Sequence, residues 1–305
     1  MKNNSYMDDI LDSIHTVQQA QELTTGIDNV LEKGGFKVKE WQSNKDLSNN
    51  RDQQGGKVNV LTGSVEDKVL GAVCNITEDS FKNEAIEGLN STKLTKRSIL
   101  SQVAQSFYPT GFASAFLIPA KIDLQELLRQ GSEWDEDLPS AVQQKWIALF
   151  REMKELNKVS FQSSLSPNQP AEHHPTACIF ADTSHRAFGA CAYIRWMTIN
   201  EEHDVRFVAA KSRVAPLKEL TIPRLELQAA VLASRLQVLI KEESRFQFQE
   251  TFLFTDSAIV SARICSTARR YKPFVSSRVG EIQSNSDPVQ WKHIPGEQNV
   301  ADKVS

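Results

Sequence analysis

The sequence predicts an α/β chain whose C-terminal part, residues 176–305, builds a mixed five-stranded sheet with flanking helices. Two observations carry this. Five strand-like runs occur there: CIFAD, GACAYIRW, VRFVAAKSRV, TFLFTD and VQWKHI. The first three follow one another with no room for a crossover helix, so they form an antiparallel meander. Helical stretches separate the later runs, which can then join in parallel.

Earlier elements are read in chain order. TVQQAQELTTGIDNVLEKGG has helical periodicity, and its Gly34-Gly35 pair is a stop signal. FKVKEW alternates like a strand, and KVLGAVCNI returns to strand character after the polar, loop-like stretch 43–57. From about 80 to 160 the pattern is mostly helical. TKRSILSQVAQSF carries apolar residues at helical spacing, and Tyr108-Pro109-Thr110-Gly111 breaks it. FASAFLIPAKIDLQELLRQG resumes, with Pro119 as a kink or a new start. AVQQKWIALFREMKELNKV is amphipathic, with Ser140 as its expected N-cap. Residues 162–175 have the composition of a linker.

Bulk composition bounds the function classes. The chain has 305 residues, a hydrophobic fraction of 40% and a net charge of −3. It therefore folds, in two or three domains, without a global basic field to draw in nucleic acid. Basic residues cluster only locally, at Lys93, Lys96 and Arg97, at Lys211 and Arg213, and at Arg269, Arg270 and Lys272. Each cluster is an ordinary solvated surface or part of a phosphate track. The four cysteines show no metal-type spacing and are expected to be reduced. No signal peptide or run of 18 apolar residues is present, so no membrane partner and an intracellular place, cytoplasmic or nuclear, are expected.

Four carboxylates are the candidate chemistry. Asp182 ends the apolar run ACIFAD, Glu226 opens PRLELQAAVLASRLQVLI, Asp256 ends TFLFTDS, and Asp302 lies in NVAD. Two acids at strand ends and two on helices form one acidic pocket if these ends meet. Oxygen ligands of this kind suit hard divalent cations such as Mg²⁺. Two such ions about 4 Å apart support in-line phosphodiester hydrolysis.

A resemblance accompanies these residues. ADTSHRAFGACAYIRW, RLELQAAVLASRL, TFLFTDSAIVSARI and WKHIPGEQNVAD resemble, in order, the first hairpin, first helix, fourth strand and terminal acidic element of a ribonuclease H. The phrases AKSRVAPLKELTIPRLELQAA, TKRSILSQVAQSFYPTGFASAFLIPAKIDLQ and WKHIPGEQNVADKVS resemble pol polyproteins of BEL/Pao-type retrotransposons. SYMDDILDS resembles the reverse-transcriptase YxDD hairpin, with Asp8 and Asp9 as its acidic pair. The resemblance implies a partial reverse-transcriptase palm over 1–78 and a helical thumb or connection over 79–165. A linker over 166–175 and a C-terminally truncated ribonuclease H-like domain over 176–305 follow.

By resemblance, Asp182, Glu226, Asp256 and Asp302 are the catalytic and metal-binding acids. They would hold two Mg²⁺ ions, with Mn²⁺ as a substitute, and cleave RNA in an RNA–DNA hybrid. Asp182 would bridge both ions. Asp302 would complete the site of the water-activating ion, and Glu226 and Asp256 would hold the other. Ser257 is expected to cap the helix after the fourth strand and, with Arg213 and Arg224, to be a nucleic-acid contact. The other partner implied is the remainder of the pol polyprotein.

Departures from the family qualify this. The further palm acid of a polymerase would lie before YMDD, so Asp8 and Asp9 are expected to be vestigial. FYPTG stands where the family has an FDPLG-like phrase. Asp302 lies three residues before Ser305, and a terminus frays unless tied down, so a loosely held fourth acid is expected. His293 is read as structural. Two other readings stand beside the nuclease. One is an inactive retroelement relic with residual nucleic-acid binding. The other is a Pao-type aspartic peptidase using Asp182-Thr183-Ser184, which would need a second carboxylate sharing one proton.

Overall fold

The structure is a computed structural model that describes residues 5–6, 9–10, 12–14, 16–39, 41–45, 47, 66–69, 72–75, 78–82, 93–105, 110–131, 133–167, 171 and 173–305. The chain divides into two compact units. One comprises 1–84 with 157–164, the other 85–156 with 165–305.

In the first unit, strands β1 (Ser5–Tyr6) and β2 (Asp9–Ile10) pair antiparallel. Helix α1 (Val17–Lys33) starts where Thr16 Oγ1 accepts from the Gln19 N–H, which satisfies one of the free amides of the first turn, and it ends at Gly34. Strands β3 (Glu66–Val69), β4 (Ala72–Asn75) and β5 (Ser80–Lys82) form an antiparallel sheet. The expected strand FKVKEW does not form over its described residues. No ladder pairs it among the described residues. Phe36 is exposed, and Trp41 Nε1 instead donates to Asp28 Oδ1 of α1 at 3.0 Å.

The second unit begins with α2 (Lys96–Gln105), α3 (Ser114–Arg129) and α4 (Ser140–Glu155). Their apolar faces meet around Ile99, Leu117, Leu127, Trp146 and Met153. Helix α3 runs through Pro119 without ending. Ser140 is the first helical residue of α4 rather than its cap; Pro139 takes that position and no side chain caps the end. The chain then visits the first unit as β6 (Ser160–Gln162), which pairs with β5. The described part of 166–175 is tied down, with Ala171 bridging Thr198 and the Pro175 carbonyl accepting from the Gln249 N–H.

The expected sheet follows. Strands β7 (Thr176–Thr183), β8 (Ala187–Met197) and β9 (His203–Val214) form the antiparallel meander. Helix α5 (Ile222–Glu243) crosses to β10 (Glu250–Thr255), which lies parallel to β7. Helices α6 (Ala258–Ile264) and α7 (Pro273–Asn285) lead to β11 (Trp291–His293), parallel to β10. The strand order is β11-β10-β7-β8-β9.

Alternation decides the two faces. Ile179, Ala181, Ala190, Ile194 and Leu253 point to one side and are buried, and α5 adds Leu225, Leu227, Leu236 and Ile240. Each such Ile or Leu side chain contributes about 1.5–3 kcal/mol relative to exposure, and each Ala less. The other face carries an aromatic row from Phe207 through Tyr193 and Phe180 to Phe254, with neighbouring ring centroids 5.7, 6.1 and 4.7 Å apart.

The helices α2–α4 share this unit because α3 docks on the edge strand β9. Ala210 N donates to Thr110 O at 2.8 Å, and Gln125 Nε2 donates to Ala215 O at 2.9 Å. Gly111 allows the approach. Its φ is +72°, and a Cβ there would fall 1.8 Å from Ala210 O. No helix among the described residues is long and apolar enough to cross a membrane.

Gly111→Ala is therefore expected to destabilise the chain by roughly 1–3 kcal/mol, read as a lower urea midpoint. Gly280→Ala in α7, where an added Cβ meets nothing within 4 Å, should leave stability unchanged or raised.

Candidate acidic active site

The site is built from the register of three strands. β7 and β10 run parallel, and their last registered pair is Ala181 with Thr255. The next residue on each is an acid, so Asp182 and Asp256 emerge side by side at neighbouring strand ends, a spacing of about 4.8 Å for the backbones. On the other side of β7, Asp182 is paired with Gly189 of β8.

Glu226 arrives from α5. Leu225 and Leu227 on either side of it are 1% and 0% exposed, which fixes the helix on the sheet and leaves Glu226 at the rim. Ser257 Oγ donates to Glu226 Oε2 at 2.6 Å and accepts from the Val260 N–H at 3.2 Å. One hydroxyl thus caps α6 and holds Glu226 beside the residue that follows Asp256. The expected capping role of Ser257 is met.

Asp302 lies in a 3₁₀ turn, Val300–Val304. Its side chain is exposed and lies 3.5 Å from Lys303 Nζ. The expected fraying is not observed. Ala301 and Val304 are buried, Val304 O accepts from Ser212 Oγ at 2.7 Å, and a Cβ on Gly189 would fall 2.3 Å from Val304 O. The turn is pressed onto β8 where only a glycine leaves room.

Asp182 is the electrostatic centre. It is 9% exposed; Oδ2 accepts from Ser305 Oγ at 2.6 Å, and Oδ1 lies 3.4 Å from Asn299 Nδ2. Burial pushes its pKa above the ordinary carboxylate value, and the charges of Asp256 and Asp302 push the same way. The hydrogen bonds from Ser305 and from the Thr183 backbone act against them. Burial likewise raises Cys191 and Tyr193, each to about 12, so neither is a nucleophile or base here.

The four acids are thus brought to one edge, coupled pairwise: Asp182 with Asp256 and with Asp302, and Glu226 through Ser257. Among the described residues no group of three or more His, Cys, Asp or Glu side chains is drawn together closely enough to hold a metal ion. The donor chemistry still suits a hard cation. The groups are carboxylates, and the ionised form of the buried one is disfavoured first by burial and then by two like charges, a state that a divalent ion would relieve.

The remaining expected residues are placed as follows. Arg224 is exposed, its guanidinium carbon 5.1 Å from the Phe274 ring, which Arg278 covers at 3.6 Å. Arg213 is exposed on β9, opposite Phe188. His293 Nε2 donates to the Asp256 carbonyl at 3.0 Å, a structural contact. Thr183 ends β7 and Ser184 opens the turn to β8, Thr183 Oγ1 donating to the Ala187 carbonyl. Asp8 lies outside the described residues, and Asp9 is described only as a strand residue opposite Tyr6. Sequence reasoning missed Asn299, Ser212 and Gly189, which hold the terminal turn. Only Asn299, a residue type favoured at N-caps and standing before Val-Ala-Asp, carried a signal.

Residues 95–257 match the family described as the Pao retrotransposon-like RNaseH-like domain. The chain belongs to this family. The matched span takes in α2–α4 as well as strands β7–β10, in keeping with their shared unit, and holds Asp182, Glu226 and Asp256. Among solved structures, the chain is similar to a foamy viral protease–reverse transcriptase in complex with double-stranded DNA. The identity is 14% and the TM-score 0.50, over 94% of this chain and 44% of that one. It is also similar to an N-terminal RNase H domain from Mycobacterium tuberculosis, with 15% identity, TM-score 0.30, and 43% and 91% coverage. A third is LC11-RNase H1 in complex with an RNA/DNA hybrid, with 14% identity, TM-score 0.29, and 43% and 92% coverage. These likenesses concern fold. No curated protein matches the chain. As a Pao retrotransposon-like RNase H-like domain, it has the expected mixed sheet and flanking helices.

Two outcomes follow for this domain. The folded Asp182 carboxyl keeps its proton to higher pH than the unfolded one, so its effect on stability worsens as pH rises through the folded pKa. Asp182→Asn should therefore raise the thermal midpoint at pH 7 and lose that advantage as pH falls into the carboxyl range. An Asp182→Asn chain no more stable than the parent at pH 7 would contradict the strain described. Ser257→Ala should cost about 1 kcal/mol through the lost cap, measured by urea unfolding.

Proposed function

We propose that this chain is the ribonuclease H-like nuclease portion of a retrotransposon pol polyprotein, acting on the RNA strand of an RNA–DNA hybrid with two divalent cations, Mg²⁺ or in its place Mn²⁺. The observation that carries this is the parallel pairing of β7 and β10, which sets Asp182 and Asp256 side by side at the edge where Glu226 and the Asp302 turn also arrive.

Asp182, at the centre, would contact both ions. Asp302 would complete one coordination shell, and Glu226 and Asp256 the other. When bound, the ions would activate water and stabilise the leaving oxygen. The chain's own work is positional. Ser257 restrains Glu226, and the His293 contact restrains the backbone of Asp256. The Ser305 hydroxyl, donating to Asp182 Oδ2, restrains that carboxylate and leaves it further lone pairs for a cation. Arg224 and Arg213 are exposed and available to phosphates, and the hybrid would be recognised by shape and 2′-hydroxyls rather than by base sequence.

The test is cleavage of a labelled RNA–DNA hybrid by residues 1–305 with Mg²⁺. Cleavage should require the metal. Asp182→Asn should reduce it by at least about a thousandfold, since several kcal/mol of Lewis-acid help are lost and each ~1.4 kcal/mol is tenfold in rate. Asp302→Asn should also lower the rate, because its turn is packed and not frayed. A folded chain that binds the hybrid and never cuts it would favour the inactive relic. Cleavage persisting in Asp182→Asn would place the activity elsewhere.

A further inference from the structure

We infer that Asn299 is a positioning residue whose buried carboxamide fixes the turn carrying Asp302 against the strand end carrying Asp182. The inference rests on the metal-nuclease reading above and names what sets the placement of two of its acids.

Asn299 is 4% exposed and makes contacts in two directions. Toward β7, Nδ2 donates to Ala181 O at 2.9 Å and to Asp182 Oδ1 at 3.4 Å. Toward the turn, Oδ1 accepts from Ala301 N at 3.2 Å, and the Asn299 carbonyl accepts from Asp302 N at 3.1 Å. A single residue thus spans 117 positions of sequence to Asp182 while capping the turn of Asp302.

The chemistry of the carboxamide matters. Its main donor bond ends on a backbone carbonyl, so the tether survives when the Asp182 carboxylate turns to a cation. Ser305 also lies near both partners, 2.6 Å from Asp182 Oδ2 and 3.2 Å from Asp302 O, but its hydroxyl has one proton to donate and cannot tie both at once. Being neutral, the amide adds no charge beside acids that already raise the pKa of Asp182. An aspartate at 299 would keep the cap, lose both donor bonds and add a further negative charge.

The test uses Asn299→Ser in the full chain. Serine keeps a capping oxygen but cannot reach Ala181 O. Two quantities are read: amide exchange of Asp302 by NMR, and Mn²⁺ affinity from the electron paramagnetic resonance signal of the free ion. Exchange at Asp302 should quicken by about tenfold or more. Mn²⁺ affinity should fall about 10–100-fold, the usual effect of losing a residue that orients a ligand. Ser212→Ala is the control, because it removes a tether at the far end of the same turn without touching either acid. It should leave Mn²⁺ affinity unchanged even where it lowers the thermal midpoint as much.

Unchanged exchange or unchanged Mn²⁺ affinity in Asn299→Ser overturns the inference, and so does an equal loss of affinity in Ser212→Ala. Failure of the underlying reading has a different signature: Mn²⁺ binding by the unaltered chain that is absent or indifferent to Asp182→Asn. The exchange measurement needs no metal, so slow exchange in Asn299→Ser would overturn the positioning role in that case too.

Discussion

Strand β7 hydrogen-bonds to β8 on one side, antiparallel, and to β10 on the other, parallel. Antiparallel pairing places the end of one strand next to the start of the other. Parallel pairing places two ends together. A strand with one neighbour of each kind therefore has Gly189 on one flank of its last acid and Asp256 on the other. The acidic edge, the landing place of the terminal turn and the position of Glu226 all follow from this arrangement. Sliding β10 by one residue would send Asp256 to the opposite face.

Gathering the acids has a thermodynamic cost. Asp182 is buried beside two like charges, and its ionised form is disfavoured. The remainder of the unit supplies the offset: a buried aliphatic face, a 22-residue helix laid across it, and α3, packed with α2 and α4, docked on the free edge of β9. Local conflict supported by a well-packed scaffold is what a functional site is expected to look like.

The terminal turn shows how small residues control such a site. Gly189 leaves space for Val304 O, Ser212 binds that carbonyl, and Asn299 reaches back to β7. None of these side chains is charged. Gly189 and Ser212 seat the far end of a five-residue 3₁₀ turn on the sheet, and Asn299 ties its Asp302 end to the strand end that holds Asp182. A cavity of about 620 Å³ lies beside this turn, between Phe112, Tyr193 and Phe207, and it marks where the aromatic face of the sheet is left partly uncovered.

Local pattern alone determined the element order of 176–305, the antiparallel meander and the parallel later strands, because strand alternation and connection length act over a few residues. It also marked the four acids, since each ends an apolar run or opens a helix, and it marked Ser257 as a cap. Pattern failed where pairing was needed: FKVKEW alternates correctly but has no described partner, and Ser140 stands one residue inside its helix. Only tertiary structure decided that α2–α4 pack with the sheet, that Asp182 is buried beside Asp256 and Asp302, and that the chain end is held. Those outcomes depend on contacts such as Asn299 with Asp182 and Ser212 with Val304, 117 and 92 positions apart. Composition and periodicity do not report distances across a fold, and a buried carboxylate acquires its energy from neighbours that the chain reaches only after folding.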